Sequence, residues 1–225
     1  MARETQPRQP ARSSRRGRLP VGDRERRQAE VLDAALSVIT EQGYDRTTMR
    51  DIAVRAGASK ETLYSWFGNR EGLITALIEA NADASADRLL AIVGEQPTTP
   101  GTARKALVAY AIGLLGLLTG PSSVTLNRAA MASPGLADTL LSSGRHRIGP
   151  IIEEYLDRLH DAGIIHAPDT TQAYRTLYGL IVRDTQIRVL LGETAPTQQE
   201  INDHAATAVT HFLTLHTPDR RSRRP

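Results

Sequence analysis

Two groups of side chains in this sequence have types and spacing that could do chemistry. The first is acidic. Glu153, Asp157 and His160 recur at i, i+4 and i+7, with Glu154 and Asp161 beside them, a face able to hold a metal ion. Acidic helix faces of this kind are ordinarily just solvated, and nothing nearby adds to the chemistry. The 225-residue chain has no cysteine, and it shows neither a phosphate-binding loop nor a nucleophile elbow. Enzyme activity, a bound metal and a cofactor are therefore not expected. The second group is Thr48, Arg50, Lys60, Thr62, Tyr64, Ser65, Trp66 and Arg70. Guanidinium, ammonium, hydroxyl and aromatic groups gathered in one short stretch can reach base edges and phosphate oxygens.

Two short helices must position that second group. In TTMRDIAVRAGASKETLYSWFGNR, Thr48 caps the first helix and Asp51 suits both the reciprocal cap and the positive dipole end. Ile52, Ala53 and Ala56 form its buried stripe. Gly57 provides the left-handed exit, and Ser59 caps a second helix running from Lys60 to about Phe67. Leu63 and Phe67 face inward at i, i+4, which leaves Lys60, Thr62, Tyr64, Ser65 and Trp66 outside. Two helices about a short glycine turn make a helix-turn-helix, whose second helix can enter the DNA major groove. A helical hairpin within an ordinary bundle is the alternative, but it would rarely expose those residues together.

SKETLYSWFGNREGL, preceded by TTMRDIAVRAGA and by a helix ending EQGYDRT, closely resembles the DNA-binding domain of TetR-family transcriptional regulators. The resemblance covers roughly residues 24–78. It implies that Arg50 contacts a base, as guanidinium pairs bidentately with guanine, and that Lys60, Thr62 and Ser65 reach bases or phosphates. Thr48, Tyr64, Trp66 and Arg70 are then backbone clamps. Arg70 stands where the family usually has lysine. Ser65 and Trp66 replace an aromatic–histidine pair, which leaves the sequence preference open. Arg46 and Arg55 read as solvated surface.

Charge divides the chain further. Residues 1–22 carry six Arg against Glu4, and residues 219–225 carry four Arg against Asp219. Their net +5 and +3, set against +3 for the whole chain, leave −5 on residues 23–218. The sequence thus divides into a disordered basic arm (1–22), a helix-turn-helix domain (23–70), a helical domain (71–216) and a disordered basic tail (217–225). The arm could track phosphates or enter the minor groove. No run approaches the about 18 apolar residues of a membrane span, and the N-terminus is not a secretory signal, so a cytoplasmic protein without membrane contact is expected.

The fold class is all-α, with about nine helices. The first spans about 24–41, with Leu32, Ala35, Leu36 and Ile39 on its buried face. A fourth runs from 70 to about 93, with Leu73, Ile74, Leu77, Ile78, Leu89 and Ile92 inside. After the GEQPTTPG loop come helices near 102–118 and 123–131. A long one follows over 135–162, kinked or broken at Gly149-Pro150. The last two are predicted over 170–191 and 197–215. IIEEYLDRLHDAGII and AYRTLYGLIVRDTQIRVLLG resemble the AefR-like subgroup of C-terminal domains. This implies a homodimer through the last two helices, with Leu180, Ile181, Ile187, Leu191, Ala208, Phe212 and Leu215 at its interface. His204 and His211 edge that helix, and Asp184 can pair with Arg188. The family couples DNA binding to a small molecule held in the second domain. Leu114, Leu118, Met131, Tyr155, Tyr174 and Tyr178 are candidate lining residues, and Arg128 is the candidate anionic anchor.

The function expected is a dimeric regulator that binds a palindromic operator on double-stranded DNA, a repressor released by an unknown small-molecule effector. An activator of the same fold, or a helical adaptor without sequence-specific DNA binding, is the alternative.

Overall fold

The computed structural model describes residues 21–94 and 98–218, which form helices and turns with no strand among them. Most of the expected arm and tail, 1–20 and 219–225, lies outside the described residues. The helices are α1 (Val21–Gln42), α2 (Met49–Ala56), α3 (Lys60–Phe67), α4 (Arg70–Val93), α5 (Pro100–Thr119) and α6 (Pro121–Met131). They continue with α7 (Pro134–Leu140), α8 (His146–Asp161), α9 (Thr170–Val182), α10 (Thr185–Leu190) and α11 (Gln198–Leu215). Helix α1 starts before the expected arm boundary, so Gly22 is helical.

Local sequence explains where these helices begin. Reciprocal capping boxes open α2 at Thr48/Asp51, α5 at Thr99/Thr102 and α11 at Thr197/Glu200. Ser59, Asn69, Ser133 and Asp169 cap α3, α4, α7 and α9 with their side-chain oxygens. Proline follows the cap of α5 and α7 at the first helical position, where its missing N–H costs nothing.

The apolar interior falls into two clusters. One joins Val31, Ala35, Val38 and Ile39 of α1 to Ile52, Leu63 and the first half of α4, and it also takes Leu126, Ala129, Ala130 and Leu136 from α6 and α7. Val31 and Val38, rather than Leu32 and Leu36, supply the fully buried part of the α1 face; the two leucines lie at its half-buried edge. The second cluster joins Leu89 and Val93 at the far end of α4 to α5, α8, α9 and α11. Helix α4 therefore runs from one core into the other. By length and composition α5 could cross a bilayer, more than the sequence reading allowed. Its Leu107, Ala111 and Leu115 are buried in the second core, and its Leu114, Leu117 and Leu118 line a cavity.

Two predicted helices differ. Over 135–162 the chain continues through Pro150 with no break, and the irregularity lies upstream in a π turn at Leu141–Arg145 between α7 and α8. Pro150 sits near the start of α8, where the one helical donor it lacks is that to the His146 carbonyl. Over 170–191 the predicted helix does break. Arg183 takes φ 49°, the only non-glycine positive φ among the described residues, and separates α9 from α10. The C-terminal ends of α9 and of α10 are each tied to other parts of the fold. His204 Nε2 lies 2.9 Å from the Ile181 carbonyl, and Arg128 donates to those of Val189 and Leu190 at 3.3 and 3.1 Å. Of the expected Asp184–Arg188 pairing only an electrostatic influence of Asp184 is seen, and the close ion pair of Arg188 is with Glu193 at 2.5 Å.

Candidate functional site: a presented helix and an apolar cavity

The turn between α2 and α3 is held from both sides. Gly57 closes α2 at φ 57°, where its N–H and that of Ala58 reach back to Val54 and Ala53. From α1, Arg27 donates to the carbonyls of Ala56 and Gly57 at 2.6 and 2.9 Å. This contact spans some thirty residues, and no local pattern announces it. Arg55, read as solvated surface, instead bridges α2 to α1, donating to both Glu41 oxygens at 2.7 and 2.5 Å and to Ser37. Those bonds from Arg55 and Ser37 hold the Glu41 carboxyl down at about 2. Asp51 is also lowered, by the Thr48 hydroxyl and backbone N–H. A Cβ on Gly72 would lie 2.2 Å from the Phe67 carbonyl, so glycine lets α4 start hard against the end of α3.

The predicted DNA-facing residues separate into two kinds. Arg50, Lys60, Tyr64 and Ser65 are exposed along the outer side of α2 and α3, with Tyr64 at 51%. Thr48 is exposed but its hydroxyl donates to Asp51 within the cap, and Thr62 is half-buried with its hydroxyl 3.0 Å from that of Ser59. Trp66 packs against the first core, with Phe67 at its edge and the Arg24 guanidinium 6.0 Å from its ring. Arg70 is turned inward. It donates to the carbonyls of Tyr44, Asp45 and Thr47 and lies 4.2 Å over the Tyr44 ring. That guanidinium organises the α1–α2 turn instead of reaching outward as a clamp.

A cavity of about 370 Å³ lies among α4, α5, α6, the end of α7, the π turn, α8, α9 and α10. Of the predicted lining, Leu114, Leu118, Tyr174 and Tyr178 are there. Tyr155 is buried in the second core, where desolvation raises its hydroxyl and Arg158 lies 5.4 Å from its ring. Met131 is 67% exposed at the end of α6, and Arg128 is spent on the α10 carbonyls. Neither lines the cavity. What the sequence reading missed is the α4 face of Asn81, Ser85 and Arg88, together with Leu140, Leu141 and Gly144 around the π turn. The i, i+4, i+7 spacing on α4 was visible, but only packing shows that it faces a void. Among the described residues no cluster of His, Asp and Glu is arranged to hold a metal.

Both halves of the chain match known families. Residues 31–77 match the bacterial regulatory proteins of the tetR family, and residues 105–217 match the AefR-like transcriptional repressor C-terminal domain. The chain belongs to the TetR family. A solved TetR transcriptional regulator from Agrobacterium tumefaciens superposes with a TM-score of 0.72 at 35% identity, covering 86% of this chain and 96% of that one. The DNA-binding transcriptional repressor TetR of Mycobacteroides abscessus is 44% identical over 61 residues, 27% of this chain and 32% of that protein. The fatty acid metabolism regulator protein of Bacillus subtilis is 28% identical over 130 residues, 58% of this chain and 62% of its own length. The first curated relatives are matched over only about a third of their length.

The residues expected at a TetR-family dimer interface also separate. Ile181, Ala208 and Phe212 are buried within this chain's own second core and are not available to a partner. They lie where α9 and α11 pack on each other and on α5, so burial inside one subunit already uses them. Ile187, Leu191 and Leu215 are exposed at 47, 81 and 66%, and Leu180 is half-buried. His204 faces α9, whereas His211 is exposed.

Proposed function

We propose that this TetR-family chain binds a palindromic operator as a homodimer and represses transcription until a small molecule occupies the cavity. The observation that carries the reading is α3, capped at Ser59, clamped at its turn by Arg27, and presenting Lys60, Tyr64 and Ser65 outward beside Arg50. Arg50 is the base reader in this reading, and Lys60, Tyr64 and Ser65 contact bases and phosphates. One such helix reads only a few base pairs. Two related by a twofold axis read half-sites about 34–36 Å apart. The exposed Ile187, Leu191 and Leu215 supply the apolar surface for that pairing.

The cavity can influence the DNA-binding core through shared residues. Ile78 and Leu126 line the cavity and also belong to the first core. Thr125 of α6 lies 3.2 Å from Thr40 of α1, and Ser133 donates to Glu71 at the start of α4. A ligand that shifts α4 or α6 would therefore press on the packing beneath α2 and α3. Selection of bound duplexes from a random DNA pool, at near-physiological salt, tests the reading. A short palindrome is the expected outcome, whereas a pool without any enriched motif would put the helical adaptor in its place.

A further inference from the structure

We infer that the cavity takes an amphipathic anion: an apolar body with a single oxyanion group, carboxylate or phosphate, held at Arg88. This rests on the reading of the cavity as the effector site and goes on to name the ligand's chemistry. The wall formed by α5 is leucine-rich, with Leu114, Leu117 and Leu118, and Ile148 of α8 adds to it. The α4 wall is polar. Asn81, Ser85 and Arg88 share one face, and among the described residues Arg88 is the only charged one lining the cavity. No Asp or Glu lines it among the described residues.

The Arg88 guanidinium is oriented but not neutralised. Its Nη2 donates to Ser85 Oγ at 3.1 Å, and Ser85 in turn donates to the Asn81 carbonyl at 2.8 Å. Among the described residues no carboxylate forms an ion pair with it. Asp83, on the same helix, is paired with Arg147, and Asp87 is one helical step away, on a different side. On the opposite wall, Asn127 donates to the Ser123 carbonyl and hydroxyl of its own helix. A planar guanidinium fixed at the edge of an apolar void, with its charge unmatched, suits an oxyanion bonded through two parallel N–H groups. Arg128, the anchor expected from sequence, is on the α10 carbonyls and cannot serve.

The test is calorimetric titration of the full chain with decanoate, decyl phosphate and decan-1-ol, repeated on Arg88→Gln and Gly113→Phe. Arg88 is exposed, so its replacement leaves the core intact. Gly113 lines the cavity with nothing within 4 Å of an added Cβ, so phenylalanine there fills the void. Circular dichroism checks that both variants keep their helices. At least one acid should bind about tenfold more tightly than the alcohol, the scale of a charge-assisted hydrogen bond to a partly exposed partner. The preferred acid separates carboxylate from phosphate. Arg88→Gln should abolish that gap while leaving alcohol affinity unchanged, and Gly113→Phe should weaken all three. Equal affinity for acids and alcohol, still blocked by Gly113→Phe, would overturn the anion and leave the cavity as the ligand site. Binding that Gly113→Phe leaves untouched would overturn the cavity reading itself. No binding by any of the three would overturn the amphipathic class.

Discussion

Arg50 and Arg70 are of one residue type twenty positions apart, and the fold gives them opposite work. Arg50 is exposed on the outer side of α2, whereas Arg70 lies over Tyr44 and serves three carbonyls of the α1–α2 turn. Arg70→Ala should therefore destabilise the protein by about 1.5–3 kcal/mol in urea unfolding, the range for hydrogen bonds to a charged donor. Arg70→Lys should recover little of it, since an ammonium cannot reproduce the planar fork and its stacking. Unchanged stability with lost DNA binding would return Arg70 to the role of a phosphate clamp. Arg50→Ala should leave stability alone and relax base discrimination by about 1–3 kcal/mol at one position per half-site, measured across single-substitution operators. Both arginines were visible in the sequence as candidates. Which one turns outward was not, because an arginine's direction depends on carbonyls that other segments bring near it.

At the scale of elements, α1 and α2 are joined by the Arg55–Glu41 pair, and its pH dependence has a definite sign. Arg55 and Ser37 hold Glu41 near 2, below its ordinary 4.5. A lowered carboxylate stabilises the folded state fully above its unfolded value and loses that contribution as pH falls through its folded one. The window is thus about pH 4.5 down to about 2. Glu41→Gln should flatten this part of the acid-denaturation profile. Both side chains are exposed, so raised salt should flatten the parent's profile as well. A parent and variant with the same slope over that window at low salt would show the pair to be inert.

The whole molecule places its apolar residues in two classes, those buried inside the chain and those left exposed at Ile187, Leu191 and Leu215. Leu191→Glu with Ile187→Glu should give a folded monomer in sedimentation, because both residues are exposed and the cores are untouched. Phe212→Ala should instead cost about 3–5 kcal/mol of stability, the range for emptying a buried aromatic site, with no direct effect on a dimer contact. If Phe212→Ala produced a stable monomer and the double glutamate a stable dimer, the interface would have to lie elsewhere. A monomer without operator binding from the double variant would tie the twofold axis to recognition.

Local information by itself determined most of the frame. Caps at Thr48, Ser59 and Thr197, the left-handed Gly57, and the inward Leu63 follow from short-range sterics and hydrogen bonding, which neighbours within a few residues decide. The all-helical class and the helix-turn-helix follow from the same patterns. The tertiary structure alone decided the rest. The α9–α10 break at Arg183 carries no glycine or proline signal; His204 of α11 lies against the Ile181 carbonyl beside it, and Arg128 of α6 serves the far end of α10. The cavity depends on which helix faces fail to meet, a property of several packed elements that no single segment encodes. Arg128 and Arg88 were thus indistinguishable in sequence, and packing gave the helix end to one and the cavity to the other.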